Sequence, residues 1–161
     1  MREMRRIRQQ LDQAACEEIL MRGTSGVLAL SGDDGYPYAV PLSYAWVDGK
    51  LVFHGAKAGH KLKAMRRDAR ASFCVVDADE VVPERYTTHY RSVICFGRMR
   101  VVEDEAEMRN LCLALGEKFW PGHSKEGMEE IDGAMSRLCV FVMEVERVTG
   151  KQAIELVKKE P

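Results

Sequence analysis

The sequence predicts a mainly β protein, a closed or partly closed antiparallel barrel with peripheral helices. Three observations carry this. Apolar runs of strand length recur at 26–30, 51–54, 71–76, 92–102 and 138–143. With the β-rich stretch 36–47 they make about six strands, against two or three helical segments. The strands mostly follow one another by short turns. There is neither βαβ alternation nor Gly-x-Gly-x-x-Gly, which argues against a doubly wound dinucleotide fold.

Taken in order, Asp12 caps a helix through Leu20 and Met21 that stops at Gly23, with Ala15, Ile19 and Arg22 on one face. A buried strand follows, then the turn Ser31-Gly32-Asp33-Asp34-Gly35, dense in residues that tolerate positive φ. Pro37 and Pro41 limit where 36–47 can pair. Asp48-Gly49 is a two-residue hairpin signal joining that strand to Leu51-Val52-Phe53-His54. A short helix is expected over 60–67, with Leu62 and Met65 facing inward. The polar segment 77–89, which holds Pro83, is expected to be an irregular functional loop. In 92–102, Gly97 marks a bend or bulge. Asp104 and Glu107 read as a capping box for the clearest helix, whose Met108, Leu111, Cys112, Leu115 and Phe119 share one face. Pro121-Gly122 ends it, 122–127 is expected to be a flexible loop, and the last core strand is extended by Val145.

At 161 residues the chain is expected to form one domain over 1–161, and its 46% hydrophobic and 30% charged residues are ordinary for a soluble globular protein. A net charge of −1 argues against a general nucleic-acid or membrane-surface role. Cationic residues nevertheless cluster, as Arg2, Arg5, Arg6 and Arg8 at the start and as Lys57, Lys61, Lys63, Arg66 and Arg67 after His54. The first cluster reads as a solvated face; the second is either that or a ligand seat. No run approaches a transmembrane length, and the basic start lacks the apolar core of a signal peptide. Cys16, Cys74, Cys95, Cys112 and Cys139 are odd in number and scattered, the pattern of reduced thiols in a cytoplasmic protein.

The chemistry concentrates after the third strand. In Phe53-His54-Gly55-Ala56-Lys57-Ala58-Gly59-His60-Lys61, a strand ends in a turn, and a basic segment opens a helix. Helix-start N–H groups with neighbouring cations form a seat for a phosphate. Lys61 is the leading cation for it, its alternative being an ordinary surface lysine. Gly55 and Gly59 either admit a ligand close to the backbone or serve turn geometry alone. His54 is either a packed strand histidine or a donor to a ligand, imidazole being suited to proton transfer near neutral pH. Ser43 and Tyr44 lie across the hairpin from it, and Tyr90-Arg91-Ser92 offers three hydrogen-bonding side chains in a row. Trp46 and Trp120 are candidates to stack on a planar ring, Trp120 alternatively packing at a subunit contact. His54, His60, His89 and His123 form no convincing metal set, and there is no Gly-x-Ser-x-Gly nucleophile.

Read together, these pieces resemble the pyridoxamine 5′-phosphate oxidase-like, FMN-binding split-barrel superfamily, and in particular the nitroimidazole-resistance (Nim-type) flavoproteins. The matching pieces run in order through most of the chain. They are Met4-Arg5-Arg6, Gly35-Tyr36-Pro37-Tyr38, Val40-Pro41-Leu42-Ser43-Tyr44 and Phe53-His54-Gly55-Ala56, then Gly59-His60-Lys61, Tyr90-Arg91-Ser92-Val93 with Gly97, and Thr149-Gly150-Lys151 after the last strand. The resemblance implies a homodimer of six-stranded split barrels with two FMN at the subunit interface. By position, Leu42, Ser43 and Tyr44 would lie along the flavin ring. His54, Gly55 and Ala56 would approach ribityl or phosphate, His60 and Lys61 would hold phosphate, and Ser92 would stand near the flavin. His54 matches the active-site histidine of Nim-type relatives.

The implied activity is an FMN-dependent oxidoreductase that passes electrons from a nicotinamide or other reductant to a small, for example nitroaromatic, substrate. The alternative is a flavin- or haem-binding module without efficient turnover. Ala39 stands where the oxidases carry arginine, and their C-terminal substrate-binding basic residues have no clear counterpart here, which argues against pyridoxamine phosphate oxidation.

Overall fold

A computed structural model describes residues 4–157. Of the N-terminal basic cluster, Arg2 lies outside the described residues, while Arg5, Arg6 and Arg8 are exposed. Strand β1 (Gln10–Leu11) is followed by helix α1 (Gln13–Arg22), β2 (Ser25–Ser31), β3 (Pro37–Ser43), β4 (Ala45–Val47) and β5 (Lys50–Ala56). Then come α2 (His60–Arg67), β6 (Arg70–Val82), β7 (Thr87–Val101), α3 (Glu105–Phe119), α4 (Ser124–Ala134) and β8 (Leu138–Gln152).

All eight strands belong to one antiparallel sheet, ordered β3-β2-β6-β7-β8-β5-β4 with β1 added to β8. Six strands were expected. The difference is β1 and a break in 36–47. At Tyr44 the chain leaves β2, its partner along β3, and pairs with β5 as β4. The two ends of the strand order are therefore joined through one residue, and the sheet curls on itself as a half-barrel.

Two apolar clusters fill the space on either face of β5 and β8. Inside the curl are Leu28, Phe53, Phe73, Phe141 and the fully buried Tyr44. Phe53 stacks on Phe141 at 5.4 Å and meets Phe73 edge-on at 5.1 Å. On the other face Val52, Val140 and Val142 pack beneath Leu111, Leu115 and Ile131 of the α3–α4 hairpin. The run 51–53 is thus buried on both faces, because alternate side chains serve different cores. Each such side chain contributes on the order of 1.5–3 kcal/mol of transfer free energy.

The helix starts follow local chemistry. Asp12 accepts from the Ala15 N–H at 2.8 Å, and Asp104 accepts from the Glu107 N–H at 2.7 Å. The capping box at α3 is only half made, because the Glu107 carboxylate turns to Arg100 at 2.8 and 3.1 Å. A charge-assisted fork outcompetes a neutral backbone N–H. In α1, Cys16, Ile19 and Leu20 are buried, whereas Arg22 leaves the expected apolar face and clamps Asp77 at 2.7 and 2.8 Å. Arg91 adds a contact at 3.3 Å. Burial acts to raise the Asp77 carboxyl, but the two guanidinium groups prevail and hold it below the usual range.

Three further expectations are corrected. Segment 77–89 is not an irregular loop: β6 and β7 continue pairing to Val82 and Thr87, and only Pro83–Arg85 and Tyr86 form the turn, with Tyr86 left-handed. Segment 122–127 is not a flexible loop throughout, since α4 begins at Ser124 and anchors itself through buried Ile131. Thr149-Gly150-Lys151 does not follow the last strand but lies within β8, where Lys151 pairs with both Ser92 and Gln10. All five cysteines are free thiols, and burial pushes Cys16 up to about 11 and Cys95 up to about 12, out of reactive range. Among the described residues no helix is long and apolar enough to cross a membrane.

Candidate functional site

The break at Tyr44 creates the site. Strand β3 pairs only with β2, so its other backbone edge is free. In β5, residues 50–52 pair with β4, but Phe53 to Ala56 pair with β8 alone. Two unpaired backbone edges therefore diverge from one corner, which Tyr44 holds shut. Its ring is buried edge-on against Phe73 at 5.1 Å and lies beneath the Lys118 ammonium at 4.4 Å. Lys118 also donates to the Gly23 carbonyl, tying α3 to the end of α1, and burial lowers its pKa. The Tyr44 hydroxyl is buried without a hydrogen-bond partner among the described residues, and burial pushes its pKa up.

Past the free edge of β5 the chain enters α2 through Gly59, whose φ of +129° is open to glycine and strained for other residues. Among the described residues no side chain caps this helix start, so its first N–H groups are available. Lys61 folds back over β5. Its Nζ lies 3.8 Å from the point where a Cβ on Gly55 would stand, and 5.9 Å from the Phe141 ring centre. It makes no ion pair among the described residues. Arg66, Lys57 and Lys61 all act on Cys139, the register partner of Gly55, so positive charge converges on this strand end. Burial nevertheless prevails and raises the Cys139 thiol.

Lys57, His60 and Arg67 are engaged, whereas Lys63 and Arg66 are exposed and make no ion pair among the described residues. Lys57 donates to the Ser136 carbonyl at 2.5 Å. His60 stacks on Tyr38 at 4.1 Å and contacts Asp33 at 3.3 Å. Arg67 binds Asp33 and the carbonyls of Ser31 and Gly32 at 2.6–2.7 Å, fastening α2 to the β2–β3 turn.

The sequence-picked residues therefore divide. Gly55, Ala56 and Lys61 gather at the end of β5, with His60 beside them but turned toward Asp33. His54 and Ser43 share a cavity of about 390 Å³ on the α3–α4 face. Leu42 and Tyr44 point into the core, leaving only their backbone for a ligand. Ser92 registers with Lys151, at the opposite end of β8 from Val140, the partner of His54, so one chain does not bring Ser92 to the site. Trp46 packs on the core, and Trp120 is exposed and stacked on His123 at 3.8 Å. Reading by residue type missed Phe119, Glu130 and Arg137, which line the cavity with His54. The only signal for the latter two was the apolar spacing of Ile131, Ala134 and Leu138.

The outer face of the sheet is apolar across five strands. Pro41, Val27, Cys74, Ile94 and Thr149 stand in register on it, and Val27, Val76 and Ile94 are 41%, 62% and 36% exposed. Ser92 lies on this same face, between Val76 and Lys151.

A family model for pyridoxamine 5′-phosphate oxidase matches residues 12–152. No curated protein matches the chain. Among solved structures, a candidate 5-nitroimidazole antibiotic resistance protein from Bacteroides thetaiotaomicron superposes with a TM-score of 0.77 at 19% identity, over 89% of this chain and 86% of its own. An FAD- and haem-binding protein from Mycobacterium smegmatis gives 0.80 at 23% identity, over 94% and 77%. An FAD-binding protein from Mesorhizobium loti gives 0.62 at 26% identity, over 90% and 97%. These likenesses establish the fold as a split β-barrel with peripheral helices.

Proposed function

The chain belongs to the pyridoxamine 5′-phosphate oxidase family, and on that premise we propose that it is an FMN-binding oxidoreductase acting on a small oxidised substrate. The whole chain would serve as one flavin domain. The observation that carries this is the pair of unpaired backbone edges on β3 and β5, ending at an uncapped helix start beside Lys61. A flavin needs backbone partners for its ring edge and a cationic seat for its phosphate, and this corner offers both.

Lys61 and the first N–H groups of α2 would hold the phosphate, with His60 beside them. The ribityl chain would run along the backbone of Gly55 and Ala56, where a Cβ on Gly55 would stand in van der Waals contact with Lys61 and Phe141. The backbone of Leu42, Ser43 and Tyr44 would border the ring. When bound, the flavin supplies the two-electron redox chemistry. The protein supplies position and proton handling. A ring nitrogen of His54, free of any partner among the described residues, would present or accept a proton at the substrate. The Ser43 hydroxyl beside it would orient that substrate. A nitroaromatic substrate and a nicotinamide donor suit this scheme. The likeness to the candidate nitroimidazole resistance protein supports the first. A cytoplasmic setting suits the free thiols.

The apolar outer face supports a homodimer. A second copy covering Val27, Val76 and Ile94 would bring its own Ser92 toward the flavin, which explains why Ser92 stands away from the site within one chain. Ile94→Asp is expected to convert a dimer to a monomer and to lower FMN retention with it. Light scattering with flavin absorbance checks this, and a variant that stays dimeric would place the interface elsewhere.

The flavin assignment is tested by the absorption spectrum of the purified protein, before and after adding FMN and gel-filtering the excess. A yellow protein carrying about one flavin per subunit is the expected result. A colourless eluate would overturn it, and a haem spectrum would replace it with haem binding.

A further inference from the structure

Successive residues of β5 face opposite ways. Lys61 covers Gly55 on the barrel side, while His54 looks into the cavity beneath the α3–α4 hairpin. Apolar side chains of Leu115, Phe119, Ile131 and Leu138 wall this space with the buried Cys112 thiol, and Glu130, Arg137 and His54 join them. None of those three makes a side-chain hydrogen bond or ion pair among the described residues.

Gly116 supplies the second observation. It sits inside α3 and lines the same cavity. Glycine there costs roughly 1 kcal/mol relative to alanine. Its backbone does not require glycine, since its φ is not positive, and packing does not either, since nothing lies within 4 Å of where its Cβ would stand. A side chain at 116 would stand in open space at the rim of this cavity, which Gly116 shares with a smaller one of about 190 Å³ beside it.

We propose that this cavity is the substrate pocket of the flavin site and takes a one- or two-ring aromatic acid that also carries a hydroxyl or amino donor. The assignment rests on the flavin reading above and names the frame of its substrate. A volume of about 390 Å³ lies at the small end of ligand pockets and suits one or two rings. Phe119, 47% exposed at the mouth, offers a face for stacking. The Arg137 guanidinium is permanently charged and matches a carboxylate in a fork. Glu130 accepts from the ring donor. His54 and Ser43 lie on the sheet side of the pocket, toward the corner at Tyr44.

The test is calorimetric titration of 4-hydroxybenzoate into the full-length protein, with and without added FMN. Wild type, Gly116→Leu and Arg137→Gln are compared, and FMN content and melting temperature are measured on each. Wild type should bind saturably. Gly116→Leu should lose binding at least tenfold while keeping its FMN and an equal or higher melting temperature, leucine being a good helix former. Arg137→Gln, an exposed change that leaves the fold alone, should weaken binding about tenfold, as the loss of a charged hydrogen bond does. FMN uptake without saturable titration, or undiminished binding in both variants, would overturn the pocket. Binding that is sensitive to both variants in a protein that takes up no FMN would instead overturn the flavin reading and leave an aromatic-acid pocket standing.

Discussion

Lys61→Ala is expected to weaken FMN binding by roughly 10- to 100-fold, the loss of one charge-assisted hydrogen bond worth about 1.5–3 kcal/mol. The size of the effect follows from how the other cations are used. Lys57 is held by the Ser136 carbonyl, Arg67 by the β2–β3 turn, and His60 by Asp33 and the Tyr38 ring. Lys61 is half-buried, aimed across Gly55, and free of any carboxylate among the described residues. Lys63 and Arg66 are exposed on α2 without an ion pair among the described residues, but it is Lys61 whose ammonium lies over Gly55. Lys61→Arg should retain most of the affinity, and the loss in Lys61→Ala should shrink as salt rises, because screening weakens the cation–phosphate attraction. Quenching of FMN fluorescence on titration reads all three. Unchanged affinity in Lys61→Ala would remove the phosphate from this corner.

The same corner shows what a sequence can and cannot disclose. Apolar alternation, the Asp48-Gly49 hairpin and the caps at Asp12 and Asp104 are local, and the structure follows them. The run from His54 to Lys61 was legible because a strand end, glycines and cations fall within a few residues. That His54 and Gly55 serve opposite faces follows from strand parity once β5 is known to be buried on both sides, a fact that depends on α3 and α4; that Lys61 folds over Gly55 does not. The break at Tyr44 was not legible. Nothing in Pro41-Leu42-Ser43-Tyr44-Ala45 signals that the chain changes partners there, since the cause is the burial of one ring against Phe73 from a distant strand. The paired arm at 77–89 read as a loop because its apolar residues do not alternate over a core. Val81 is 66% exposed, and backbone pairing carries the arm instead. Helix α4 was hidden by Gly127 and Gly133 and is held through Ile131 by the second core.

Gly97→Ala is expected to destabilise the protein by about 3 kcal/mol or more, at the upper end of overpacking effects. The residue marks the register shift in β7, where Phe96 pairs with Arg147 and Gly97 with Val145, so that Glu146 is the extra residue on β8. The two backbones close up at this bulge. A Cβ on Gly97 would overlap the Glu144 carbonyl oxygen and stand 3.0 Å from its carbon. The clash is with main chain, so no rotamer relieves it. Strand β8 cannot retreat freely either. Glu144 is held by Arg100, which also grips Glu107 of α3, and Glu146 is held by Arg98. Moving β8 away would open its long ladder with β7 or drag α3 with it. Urea unfolding should show a lower midpoint with an unchanged slope, since the surface exposed on unfolding stays the same. The consequence reaches the site, because β8 carries Phe141 and Cys139 beneath Lys61 and Gly55. Gly97→Ala should therefore also lower FMN affinity at a distance from the ligand. A loss below about 0.5 kcal/mol, within the ordinary range of surface changes, would mean that the bulge yields freely and that the Arg98 and Arg100 pairs do not brace it.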